Sequence, residues 1–174
     1  MRSTKEATED AFEAMLERAL FYLGRYSATR ARLSRYLQKR FEELPKHERE
    51  EALERVLDRV EALGIINDRE YAERRIQSLR AKGKSRRAIE RDLFEKGVAR
   101  SLVEELLRRS TADDERLSAL IFIRARRLGP FRRRERAFEK ELGALGRAGF
   151  SYGIAREVLE LSLEDAERAI EEAQ

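Results

Sequence analysis

Apolar residues recur at i, i+3, i+4 and i+7 almost from end to end, the spacing of one buried helix face. Phe12, Met15, Leu16, Ala19, Leu20 and Leu23 form the first stripe, with Gly24 as its stop. Ser27 is placed to cap a second helix carrying Leu33, Leu37 and Phe41. Pro45 opens a third at its first turn, where a missing N–H costs nothing; that helix buries Leu53, Val56, Leu57, Val60 and Leu63 and ends at Gly64. The cycle then restarts. Asp68 caps a helix bearing Tyr71, Ala72, Ile76 and Leu79, closed by Gly83. Ser85 caps the next, with Ile89 and Leu93, closed by Gly97, and a third carries Leu102, Val103, Leu106 and Leu107. A last cycle runs from Asp113 to Gly129–Pro130, from Phe131 to Gly149 and from Ser151 to Leu161. Ser162 and Asp165 fit a capping box for one short terminal helix.

The cycles share a frame. Superposed at Gly97 and Gly149, Leu93 falls on Leu145, Val98 on Phe150, Leu102 on Ile154, Leu106 on Val158 and Leu107 on Leu159. Ala52-Leu53 with Val56-Leu57 repeats the last part of that signature. A single trihelical unit of this size buries too little surface to be comfortably stable, and stacked neighbours complete each core. The expected fold is all-α: three tandem three-helix repeats over residues 1–66, 67–110 and 111–161, forming an elongated, curved array with a concave face. A helical extension over 162–174 follows.

Charge changes the picture from fold to partner. Lys and Arg number 38 against 34 Asp and Glu, so the net charge is only +4 and any basic surface must arise by sorting. Sorting is evident. Residues 24–41 contain no acid, 74–91 only Glu90, and 124–136 only Glu135, while acids crowd 42–61. Each basic stretch spans the end of a first helix and the start of a second, so stacking would align them as a stripe that binds polyanions. Its candidate contacts are Arg30, Arg32 and Arg35; Lys82, Lys84, Arg86 and Arg87; and Arg126, Arg127, Arg132, Arg133 and Arg134. Tyr22, Tyr26, Tyr36 and Phe131 lie close enough in sequence to offer stacking to unpaired bases, with a place in the core or at its edge the competing reading for Tyr22 and Tyr36. Solvated Arg-rich surface held by i, i+4 ion pairs is the competing reading.

Candidate chemistry is sparse. The chain has no Cys and one histidine, His47, so thiolate or His-rich metal sites and His-dependent triads have no basis. Gly143, Gly146 and Gly149 superficially resemble a phosphate loop but lack the Walker spacing and a preceding strand. Asp113, Asp114 and Glu115 are the usual acidic complement of a helix start. No apolar run is long enough to span a bilayer, and acids interrupt the N-terminal segment where a signal peptide would need an apolar core. The expectation is a soluble cytoplasmic protein, not an enzyme, with no cofactor, no metal and no membrane partner, acting as a monomer.

Residues 65–98, "IINDREYAERRIQSLRAKGKSRRAIERDLFEKGV", resemble the central signature of the RecX family through Asp68, Tyr71-Ala72, Gly83, Ile89, Leu93 and Lys96-Gly97-Val98. "ALFYLGRYSATRARLSRYLQKRF" is similar to the family's first unit and "GRAGFSYGIAREVLEL" to its ending, so the likeness covers about residues 11–161. Ser85 stands where a second glycine is common, Asp92 replaces a usual Glu, and 162–174 extends beyond the usual end. The resemblance implies three trihelical units that bind along the groove of a RecA–single-stranded DNA filament. There the protein would block filament growth and lower ATPase, strand-exchange and coprotease activity. A stand-alone DNA- or RNA-binding protein, contacting single- or double-stranded DNA without a recombinase, is the alternative.

Overall fold

The structure, a computed structural model, describes residues 4–173. Among them are ten α-helices in three consecutive trios and a terminal helix. The first trio is α1 (Thr4–Leu23), α2 (Arg30–Arg40) and α3 (Lys46–Ala62); the second is α4 (Asp68–Ala81), α5 (Arg86–Glu95) and α6 (Arg100–Arg108). The third is α7 (Ala112–Arg126), α8 (Phe138–Ala148) and α9 (Tyr152–Glu160), with a 3-10 turn at Gly129–Phe131 between α7 and α8. Helix α10 (Leu163–Glu171) follows.

Several helix ends differ from those the sequence predicts. Thr29, not Ser27, caps α2, accepting from the Arg32 N–H at 3.1 Å. Ser27 is exposed, whereas Thr29 is buried and its hydroxyl has a second partner to satisfy. Asn67, not Asp68, caps α4 through the Glu70 N–H at 3.1 Å, which leaves the Asp68 carboxylate for another task. Thr111 caps α7 in a reciprocal box with Asp114. Pro45 is the residue before α3 and not its first turn. Helix α8 begins at Phe138 and not at Phe131, because Pro130 sits in the 3-10 turn and residues 132–137 are irregular. Ser85, Ser151 and Ser162 cap the helices expected of them.

By contacts the chain divides into two compact units, one reaching Ala72 and including Lys96–Val98, the other made of Glu73–Glu95 and the residues from Ala99 onward. In the first, α1 lies mainly on α3, and Met15, Ala19, Leu33, Leu37, Val56 and Val60 are wholly buried. Each buried Leu removes enough apolar surface from water to contribute about 2 kcal/mol. Leu20 and Leu63, expected on buried faces, are instead exposed, at 43% and 53%. In the second unit the core comprises Ala119, Leu120 and Ile123 of α7, then Leu145, Phe150, Val158 and Leu159. Helix α10 adds Ala166 and Ile170 to it, so the extension is built into the core.

One joint is built twice. In the first unit the Thr29 hydroxyl donates to the Lys96 carbonyl at 2.5 Å, and the Arg30 N–H donates to the Asp68 carboxylate at 2.9 Å. In the second the Ser85 hydroxyl donates to the Ala148 carbonyl at 2.6 Å, and the Arg86 N–H to the Glu115 carboxylate at 2.9 Å. Each hydroxyl thus precedes a second helix and reaches the end of the next second helix, at the residue just before Gly97 or Gly149. Those glycines have φ of +80° and +96°, and the space above them is filled. A Cβ on Gly97 would lie 2.5 Å from the Ala31 Cβ; one on Gly149 would lie 2.6 Å from the Ser85 hydroxyl. At both joints glycine satisfies the left-handed turn and the close approach together.

Candidate nucleic-acid interface

Within the first unit the basic stretch does not behave as a single face. Arg30, in the first turn of α2, turns to the acids of α3: it bonds Glu61 at 2.7 Å, Asp58 at 2.8 Å and Glu54 at 2.9 Å. Partial burial works against its charge, and the three carboxylates more than offset this, raising its pKa above the ordinary guanidinium value. Arg35 donates from Nε to the Ala31 carbonyl at 3.3 Å, and Arg32 is half-buried. Tyr22 stacks on Tyr36 with centroids 4.2 Å apart and meets Tyr26 at 5.1 Å. Of these three rings only Tyr26 is exposed; Tyr22 and Tyr36 edge the core.

The second unit assembles what the sequence lists separately. The α4–α5 turn carries Lys82 and Lys84, and α5 opens with Arg86 and Arg87. Gly83, in the turn, packs so tightly on α7 that a Cβ there would lie 2.6 Å from the Phe122 nitrogen. Lys82 and Lys84 are the chain neighbours of that contact. One turn further along α7, the Arg126 guanidinium lies 5.5 Å from the centre of the Phe122 ring. At the start of α5, the Arg87 Cβ borders Gly149. Lys82, Lys84, Arg87 and Arg126 are all exposed, and none forms an ion pair among the described residues. Arg86 does, with Glu90 at 3.2 Å.

The third cluster splits. Arg127 is exposed and closes α7 in the left-handed region, at φ 56°. Arg132 donates from Nε to the Gly129 carbonyl at 2.8 Å. Arg133 and Arg134 are exposed on the irregular segment, and Phe131 is packed on the core. Burial raises the pKa of Asp68 and of Glu115; the backbone N–H each accepts, from Arg30 and Arg86, works the other way.

Residues 67–107 match the family described as RecX, second three-helix domain. Across a wider span the chain is 40% identical over 153 residues to a regulatory protein RecX of Myxococcus xanthus, covering 82% of each chain. The chain belongs to the RecX family. It is also 35% identical over 140 residues to the regulatory protein RecX of Streptomyces coelicolor, covering 79% of this chain and 71% of that one. A crystal structure of RecX from Lactobacillus salivarius superposes with a TM-score of 0.71 at 20% identity, over 92% of this chain and 99% of that chain, and so shares the fold.

For this RecX-family chain, periodicity alone did not reveal the acids that hold Arg30. The signal was present, since Glu54, Asp58 and Glu61 share one face of α3 by spacing. No group of three or more His, Cys, Asp or Glu arranged to hold a metal occurs among the described residues, and no described helix is long and apolar enough to cross a membrane.

Proposed function

We propose that this RecX-family chain is a non-enzymatic modulator of the RecA recombinase. It binds the RecA–single-stranded DNA filament, blocks filament growth and lowers ATPase, strand-exchange and coprotease activity. The observation that carries this reading, beside family membership, is the cluster of unpaired bases Lys82, Lys84, Arg87 and Arg126 at one joint. Bases that could have been paired on the surface, as Arg86 and Arg156 are, stand open to solvent there. Such a cluster suits DNA phosphate or acidic protein surface. Arg127, Arg132, Arg133 and Arg134 of the same unit are assigned to the periphery of the contact, and Arg32 and Arg35 are candidate contacts of the first unit by itself. Arg30 and Arg86 have roles inside the fold.

The test is ATP hydrolysis by a RecA recombinase on single-stranded DNA, titrated with the full chain. Inhibition at substoichiometric to equimolar ratios, undiminished by excess DNA, is expected. Inhibition that vanishes when DNA is added in excess would replace this reading with the stand-alone nucleic-acid binder.

A further inference from the structure

Beside the joint lies an open cleft of about 460 Å³ between α7 and α8, with Arg126, Arg136 and Arg147 on its walls and Phe122, Ala144 and Ala148 among its lining. We propose that this cleft is a phosphodiester subsite for single-stranded nucleic acid. The proposal rests on the nucleic-acid part of the reading above and assigns it a place that includes Arg136, the last residue of the third basic stretch and not among its candidate contacts, and Arg147, which lies outside all three stretches.

Three guanidinium groups line one cleft and no carboxylate does. None of the three forms an ion pair among the described residues. Elsewhere the chain pairs its arginines one helical turn away, as in Arg86–Glu90, Arg156–Glu160 and Glu164–Arg168. One turn before Arg126 stands Phe122, and one turn before Arg147 stands Gly143. The Arg147 guanidinium lies over that glycine, 3.3 Å from where a Cβ would be. Small residues leave the cleft open, and its charge is left for an external anion.

Guanidinium forks match phosphate oxygens two at a time. A phosphodiester suits this cleft better than a lone carboxylate because the positive track continues past it. Gly83, which packs on the Phe122 backbone, stands between the exposed Lys82 and Lys84, so a polymer charged at every unit meets further bases beside the cleft. The half-exposed Phe122 ring also gives an unpaired base a face to stack on. The volume falls within the range of about 300–1,000 Å³ usual for small-ligand sites.

The experiment is fluorescence anisotropy of a labelled oligo-dT with the full chain, across a salt series, for wild type and for the double variant Arg126→Gln/Arg147→Gln. Both side chains are exposed, and helical circular dichroism will check that the variant is folded. Affinity should fall about tenfold or more, and the slope of log K against log salt should shrink by about 1.4, two phosphate contacts' worth. Unchanged affinity and slope in the variant, with wild type binding, would overturn the cleft and leave the recombinase reading to the ATPase assay. No oligo-dT binding by wild type at low salt would overturn it too, again independently of ATPase inhibition. Polyglutamate of matched charge is the competitor. If it displaces oligo-dT from wild type as well as oligo-dT itself does, the cleft recognises carboxylates and the phosphodiester assignment fails.

Discussion

The Ser85 hydroxyl donates to the Ala148 carbonyl at 2.6 Å, and through that bond the start of one second helix is pinned to the end of the next. Thr29 and Lys96 stand in the same relation at 2.5 Å. Each hydroxyl also accepts from its own helix, from the Ala88 or the Arg32 N–H, so it caps and couples in one stroke. Alanine at position 85 removes both bonds and should cost about 1–2 kcal/mol in urea unfolding. Threonine there should retain most of the stability, since Thr29 already performs the task.

Glycine is required beside those carbonyls. Gly149→Ala and Gly97→Ala each force a Cβ into a left-handed turn and into a filled contact. The conformational cost alone is about 1–2 kcal/mol, and the clash adds to it. Gly153, in the first turn of α9, has nothing within 4 Å of its would-be Cβ. Gly153→Ala should therefore leave the melting temperature unchanged or raise it, with a gain of about 0.5 kcal/mol. A Gly153→Ala variant that melts below either of the other two would refute the packing described.

Arg30 and the Lys82–Lys84 pair should separate cleanly into fold and binding. The Arg30 side chain is 29% exposed and its three carboxylate partners 54% or more, so the network is partly screened by solvent. Arg30→Ala should lose about 1 kcal/mol of stability and leave oligonucleotide affinity within twofold. Lys82→Glu with Lys84→Glu should do the reverse: unchanged melting, and affinity reduced about tenfold or more.

The two acids at the joints set a pH signature. Burial raises the pKa of Asp68, with Arg30 and Glu61 facing it, and of Glu115, with Arg86, Arg80 and Glu90 facing it. The folded state then holds these protons more firmly than the unfolded chain does. Their contribution to stability is full below the ordinary carboxylate pKa and is lost as pH rises through the raised values. Asp68→Asn with Glu115→Gln keeps an acceptor oxygen for each N–H and removes the titration. Relative to this double variant, wild type should lose stability from about pH 4 upward, read from urea unfolding at successive pH values. A flat difference between the two would show that neither acid is perturbed.

Periodicity read the helices well because each has one face to bury, as Met15, Leu33, Leu93 and Leu145 all confirm by being fully enclosed. Caps were harder to read. Ser27 and Thr29 are chemically equal candidates, and the choice was made by Lys96, remote in sequence. Asp68 likewise resembled a cap until Asn67 took that role and left it facing Arg30. The start of α8 was misplaced because a run of arginines has good helix propensity, while the preceding 3-10 turn is set by Pro130 and by the Glu141 carboxylate accepting the Gly129 N–H at 3.1 Å. For the interface, sequence showed where bases are dense and not which acids neutralise them. Arg30 is spoken for by α3, whereas Arg147, isolated in sequence, lines the cleft beside Arg126.

The joint has a polarity: one half offers a hydroxyl and an N–H, the other a carbonyl, a carboxylate and a glycine. The first trio carries the offering half at Thr29 and Arg30, and the third carries the receiving half at Glu115, Ala148 and Gly149. At the position before α8, where a third hydroxyl would stand, there is Ala137, with no side-chain bond. Among the described residues the second trio has both halves, at Ser85 and Arg86 and at Asp68, Lys96 and Gly97. Its receiving half is matched inside the first compact unit and its offering half inside the second, so a change to this trio's hydroxyl and a change to its glycine are felt in different units.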